Sequence, residues 1–154
     1  MFAPPSPSAI RALPAEHRAR LMELAREVSF PQGARLFEEG GRADRFWVVR
    51  TGTVALDMRV PGRRPAVIER LGHNELVGWS WMFEPRIWHL GAEAETLVRA
   101  YEFDAAPVNA LRHADPVFGQ AVAEWVGNVV AHRLHAARVR LLDLYAPYGA
   151  GSTV

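Results

Sequence analysis

The hydrophobic period of this chain changes twice, and the changes divide it into three parts. Ile10, Leu13, Leu21, Leu24, Ala25 and Val28 recur close to helical spacing. They predict a helix over about 14–27, with Pro14 in its first turn, where a missing N–H leaves nothing unpaired. From Phe30 the period falls to two. FPQGARLF predicts two short strands about a turn at Gly33, and Gly40–Gly41 marks the next turn. Phe46–Arg50 and Val54–Val60 are predicted strands joined through Thr51–Gly52. Pro61–Gly62 turns the chain into a further strand, Ala66–Arg70. Leu90–Thr96 and Leu97–Phe103 form a last candidate pair. About eight short strands with glycine turns predict a mainly β fold with flanking α elements, most economically a jelly-roll β-barrel over about 28–103.

At Asp104 the helical period returns. Asp104 suits the N-cap of a short helix through Leu111, and Asp115–Pro116 suits a second start. Phe118, Val122, Trp125 and Val129, flanked by Val126, Val130, Leu134 and Leu141, keep helical spacing to about Tyr145. Roughly 30 residues make a rod of about 45 Å, longer than a small roll covers. The uncovered part predicts a partner, most simply the same helix of a second subunit, with Phe118, Val122, Trp125 and Val129 on the dimer face. Gly127 and Asn128 mark a candidate bend. The organisation expected is a Pro/Ser-rich flexible arm (1–9), one domain (10–145, its C-terminal helices at about 104–145) and a tail (146–154).

Between the strands and the helices lies Gly72–Trp88, GHNELVGWSWMFEPRIW, which holds three of the five tryptophans. In a small β-roll of this order such a segment crosses the mouth and forms a cradle. Composition limits what it does there. The 154 residues are 49% hydrophobic and 23% charged, with a formal net charge of +1. That balance suits a globular domain and lacks the clustered cations of a protein devoted to the phosphate backbone. All eighteen basic residues are arginine, and there is no cysteine, which excludes disulfides, thiol catalysis and thiolate-held clusters. Residues 1–25 lack the apolar core of a signal peptide, and no apolar run approaches the roughly 20 residues of a membrane span, so a cytoplasmic protein with no membrane partner is expected.

The order of elements (N-terminal helix, β-roll, glycine-containing cradle with a short helix, short helix, long helix) resembles the cyclic nucleotide-binding domain of the CRP/FNR superfamily. FPQGARLFEEGGRADRFWVVRTGTVALD (30–57), ERLGHNELVG (69–78) and AETLVRAYEFD (94–104) carry the resemblance, which runs from about Leu13 to Tyr145. It implies a cradle helix whose backbone N–H groups face a cyclic phosphate. It also implies a Glu just after the cradle glycine for the ribose hydroxyl, and an Arg about ten positions on for the phosphate. Here the glycine matches Gly78, the Glu position holds Trp79, and the Arg position falls on Trp88, followed by His89. Arg86 is near but out of register. Two charge-assisted hydrogen bonds at roughly 1.5–3 kcal/mol each amount to about two to four decades of affinity, which argues against ordinary cyclic AMP binding.

The candidate ligand-binding residues are therefore Val77, Gly78, Trp79, Ser80, Trp81, Arg86, Trp88 and His89. They line either a pocket for a cyclic nucleotide or another small anionic or aromatic ligand, or a cradle plugged with its own rings. Backbone N–H groups of 78–82 remain available to an anion. Other chemistry finds little support. His132 and His135 share a helix face without a third metal ligand at matching spacing. His17 and His113 stand apart, and His73 and His89 flank the cradle. No catalytic constellation assembles, and HRLHAARVR (132–140) complements the negative end of the helix dipole. The expectation is a non-catalytic, dimeric ligand-sensing or adaptor module that requires no cofactor and no metal and acts on a protein partner. The resemblance adds that the family's transcription factors carry a helix-turn-helix domain after the long helix. This sequence has only nine residues after Tyr145, so direct DNA binding by this chain is not expected.

Overall fold

A computed structural model describes residues 9–145; the predicted arm and tail otherwise lie outside them. Eight strands form two antiparallel four-stranded sheets. One has the order β1 (Arg26–Phe30), β8 (Val98–Asp104), β3 (Arg45–Thr51), β6 (Leu76–Val77); the other has β2 (Arg35–Phe37), β7 (Gly91–Ala94), β4 (Val54–Met58), β5 (Ala66–Leu71). The arrangement is jelly-roll-like, but the sheets do not join into a closed barrel. Side chains of both sheets and of the helices share one continuous core. In β3 the run Phe46–Val49 is buried without alternation, so both faces of that strand are covered. Register follows from the paired apolar positions, with Phe46 opposite Phe103 and Val49 opposite Ala100.

Two carboxylates lie inside this framework and each has its counter-charge. Glu102 is 5% exposed, and it accepts from Arg26 at 2.6 Å and pairs with Arg45 at 3.0 Å. Asp57 is held by Arg35 at 2.5 and 3.0 Å. Burial without such partners is unfavourable for any charged group. Asp104 occupies the N-cap of α2 (Ala105–Ala114) but makes no capping hydrogen bond. Its carboxylate accepts from Arg26 instead, which holds it below the usual carboxylate range. Asp115 does cap α3 (Pro116–Tyr145), accepting from the N–H groups of Val117 and Phe118 at 3.1 and 3.2 Å. The Phe118 N–H first, and the Arg20 guanidinium second, keep its carboxyl below the ordinary range.

The N-terminal helix is shorter than the periodicity predicts. α1 is Ala15–Met22, with Pro14 at the N-cap position. The N–H groups of Leu24 and Ala25 bond back to Leu21 and Met22, and Arg26 then enters the sheet beside β8. Pairing with β8 takes residues that local spacing assigns to a helix. Ala9, predicted to lie in the flexible arm, is buried, bridges to Glu75 and accepts a hydrogen bond from Trp125 Nε1 at 3.2 Å.

α3 runs unbroken for 30 residues, through Gly127 and Asn128. Its start lies close to α2 because residue 119 is glycine: a Cβ there would stand 2.5 Å from the Arg112 carbonyl oxygen. The predicted dimer face is corrected here. Phe118, Val122, Trp125 and Val129 are 0–2% exposed inside the chain's own core and have no surface for a second subunit. The exposed apolar residues of α3 are mostly further along, at Leu134, Val139, Leu141, Leu142, Leu144 and Tyr145.

Candidate functional site

The cradle is built on the short strand β6 and a single 3-10 turn, Ser80–Met82, rather than on a full helical segment. Gly78 joins the two. Its φ of +95° lies in the left-handed region that favours glycine. The Trp88 ring covers it so closely that a Cβ would stand 2.6 Å from Trp88 Cη2.

The three tryptophans have different surroundings. Trp81 is fully buried and stacks on Phe46, with centroids 4.2 Å apart and planes at 14°; its Nε1–H donates to the Gly78 carbonyl at 3.0 Å. Trp88 stacks on Phe37 at 3.9 Å, and its backbone is held by Gly40 and Gly41. Trp79 is half-buried, edge-on to Phe83 and stacked on His89 at 6.0 Å.

Around Gly78, Trp79, Ser80, Trp88 and His89 lies a cavity whose space open to the centre of a water molecule is about 40 Å³. That is room for roughly two or three waters. Five of the eight predicted ligand-binding residues are thus brought together. The other three are not. Val77 is fully buried in β6, paired with Trp47, and Trp81 belongs to the core beneath. Arg86 sits in a turn whose carbonyl accepts from Ala43. It lines a separate cleft with Arg42, Asp104 and Asn109, and its nearest carboxylate is Glu84 at 3.5 Å. His73 is also outside the cradle, its Nδ1–H donating to the Arg50 carbonyl at 2.7 Å. Among the described residues no group of three or more potential metal ligands assembles.

The residue that local sequence reading assigns only to the helix dipole is Arg133. It reaches from α3 to the cradle wall, its side chain only 10% exposed. Its Nη2–H donates to the Leu76 carbonyl, while its buried Nε–H has no hydrogen-bond acceptor. Glu69 Oε2 stands 3.8 Å from that Nε. Burial pushes the Arg133 guanidinium down from its ordinary value, and burial pushes the Glu69 carboxyl up. A buried donor left unpaired costs about 1–3 kcal/mol, more when charged. One signal was available in the spacing: 122, 126, 129 and 133 continue a single helical face, so this arginine stands in line with buried valines.

The sequence signature described as "Cyclic nucleotide-binding domain" matches residues 27–115, more than half of the chain. The chain belongs to that family. Within it, the domain resembles CRP/FNR regulators. It is 28% identical over 126 residues to the CRP-like cAMP-activated global transcriptional regulator of Mycobacterium tuberculosis, covering 82% of this chain and 54% of the regulator. The domain therefore spans about half the length of the curated relatives it matches. Among solved structures, the N-terminal domain of a transcriptional regulator from Streptomyces coelicolor A3(2) is 27% identical with a TM-score of 0.67, over 85% of this chain and 90% of that one. The c-di-GMP-responsive global regulator CLP of Xanthomonas campestris aligns at a TM-score of 0.76 and 17% identity, over 86% and 65% of the two chains, which speaks to the fold alone.

The geometry carries a direct expectation for Trp79→Ala. The ring is half-buried and packs against the edge of the core, so its removal is expected to lower stability by about 1–2 kcal/mol, below the 3–5 kcal/mol typical of a fully buried tryptophan. Urea denaturation of the two proteins measures the difference. A loss above 3 kcal/mol would place Trp79 in the core.

Proposed function

We propose that this domain is a non-catalytic CRP/FNR-like ligand-sensing or adaptor module whose cradle has turned away from ordinary cyclic AMP. The observation that carries the reading is the Trp88 ring, which covers Gly78 at the position where the family resemblance implies a phosphate-binding arginine. It leaves about 40 Å³ of open space, far too little for a base and ribose. The relatives' role as regulators supports a regulatory, cytoplasmic setting and a protein partner. Dimerisation would use the exposed second half of α3, where Leu134, Leu141 and Leu142 are 50–67% exposed.

Tryptophan fluorescence during titration with cyclic AMP and cyclic GMP tests the ligand half. No saturable change up to millimolar nucleotide is expected, because the open space is too small for a base and ribose, and Trp79 and Trp88 line the site and would report occupancy. Saturation at micromolar nucleotide would overturn this reading in favour of a rewired cyclic-nucleotide binder. Sedimentation equilibrium tests the other half, with a dimer expected and a monomer at all concentrations counting against it. A second reading, a structural or interaction domain with a plugged pocket, is favoured by one observation: Trp81, Phe46 and Phe103 form a continuous buried stack directly under the cradle.

A further inference from the structure

We propose that Arg133 makes the cradle cavity a receptor for a small oxyanion of the phosphate or carboxylate kind. This rests on the sensing reading above and names the chemistry the site takes. Three observations converge on it. The first is size. Space for roughly two or three waters accommodates the oxygens of a compact oxyanion and is too small to take up a base and ribose.

The second is charge. Among the described residues that line the cavity Arg133 is the arginine and none is a carboxylate; on its other side Arg133 borders a groove with Glu69 and Asp143. Its Nε–H is buried without an acceptor, and its nearest counter-charge, Glu69, stands at 3.8 Å, beyond a hydrogen bond. A guanidinium presents its N–H groups in a planar fork that matches the oxygens of a carboxylate or phosphate. The third is the surrounding chemistry. Ser80 contributes a hydroxyl and His89 an imidazole to the same wall, both able to donate to an anion.

The placement of Arg133 also gives the anion a way to act. The residue belongs to α3, whereas its present contacts, the Leu76 carbonyl and Glu69, belong to the β-roll. An anion in the cavity competes with both for the guanidinium. It therefore changes the tie between α3 and the roll at the point where α3 begins to leave the core.

The test uses the whole chain, freed of phosphate and held at constant ionic strength. Inorganic phosphate and acetate are the probes, chloride is the control, and two signals are followed: tryptophan fluorescence and the Nε–H resonance of Arg133 in a proton–nitrogen correlation spectrum. With phosphate or acetate both signals are expected to move saturably, with no comparable change in chloride. Arg133→Lys is expected to weaken binding by about tenfold or more, since an ammonium lacks the fork, and Arg133→Met to abolish it. Arg86→Ala, in a separate cleft, is expected to leave it unchanged. Should the Arg133 variants not fold, the resonance in the unaltered protein still decides the matter. Linear response to both probes, an equal response to chloride, or retained affinity in a folded Arg133→Met would overturn the proposal. Saturation by cyclic AMP with none by phosphate or acetate would also overturn it, while leaving a sensing cradle standing. Silence with these two anions but saturation by another small molecule would do the same.

Discussion

Trp81→Ala is expected to lower the unfolding free energy by about 3–5 kcal/mol, a large part of the stability of a domain this size. The ring has no exposed surface and lies flat between the cradle turn and Phe46, which in turn lies flat on Phe103. Removing it empties a volume beside the stacked Phe46 and Phe103, whose strands are paired in one sheet and cannot shift to refill it. It also deprives the Gly78 carbonyl of the Nε1–H donor at 3.0 Å. Trp81→Phe separates the two contributions in part: it keeps a six-membered ring against Phe46, loses the hydrogen bond at about 1 kcal/mol, and leaves a smaller void than alanine does. Urea denaturation of the three proteins, with equal slopes as the check on two-state behaviour, provides the comparison. If Trp81→Ala fell within 1 kcal/mol of the unaltered chain, the cradle turn would be a surface ornament and the plugged-pocket reading would lose its main support.

Much of the fold was legible because alternation survives in short strands bounded by glycine. The predicted strands at Phe46–Arg50 and Ala66–Arg70 lie within one residue of β3 and β5. Long helical spacing from Phe118 to Tyr145 corresponds to α3 at both ends. Errors arose where a tertiary partner outweighs local pattern. Residues 26–27 carry helix-compatible side chains, but β8 pairs with their backbone. Leu76–Val77 forms only a two-residue strand, too short to display a period. Asp104 has the side chain of a cap, but two nearby arginines compete for it and Arg26 takes its oxygens.

The site was half legible for a similar reason. Resemblance located Gly78, Trp79, Ser80, Trp88 and His89, which the structure gathers around one cavity. It also drew in Arg86, which lines a separate cleft despite its nearness to Trp88 in the chain. Spacing alone makes the apolar stripe of α3 a dimer seam, because sequence does not say which end of a long amphipathic helix its own domain covers. The covered end carries Phe118 to Val129 and the bare end carries Leu134 to Tyr145. Arg133 stands between the two ends. With its neighbours it complements the helix dipole, but its phase with Val122, Val126 and Val129 marks a cation directed at the core.

Trp88→Ala is the second substitution with a large expected effect, and it separates exclusion by bulk from loss of polar contacts. Trp88 is 5% exposed, stacked on Phe37 and tilted against Trp47 at 6.4 Å. Its backbone hydrogen bonds with Gly40 and Gly41 survive truncation, so the loop keeps its course. The new space opens onto an existing cavity and can admit water, which places the stability loss near the lower end of the range, about 3 kcal/mol. The same change clears the face of Gly78. If the ring alone shuts the cradle, the variant gains a saturable response to cyclic AMP at least about tenfold stronger than that of the unaltered chain, read by calorimetry because one of the reporting tryptophans is gone. If bulk is removed and no response appears, the missing Glu and Arg contacts, replaced here by Trp79 and Trp88, are what exclude the nucleotide. The small anion held by Arg133 should still bind in either case, because its donors, Arg133, Ser80 and His89, all remain when the ring is removed.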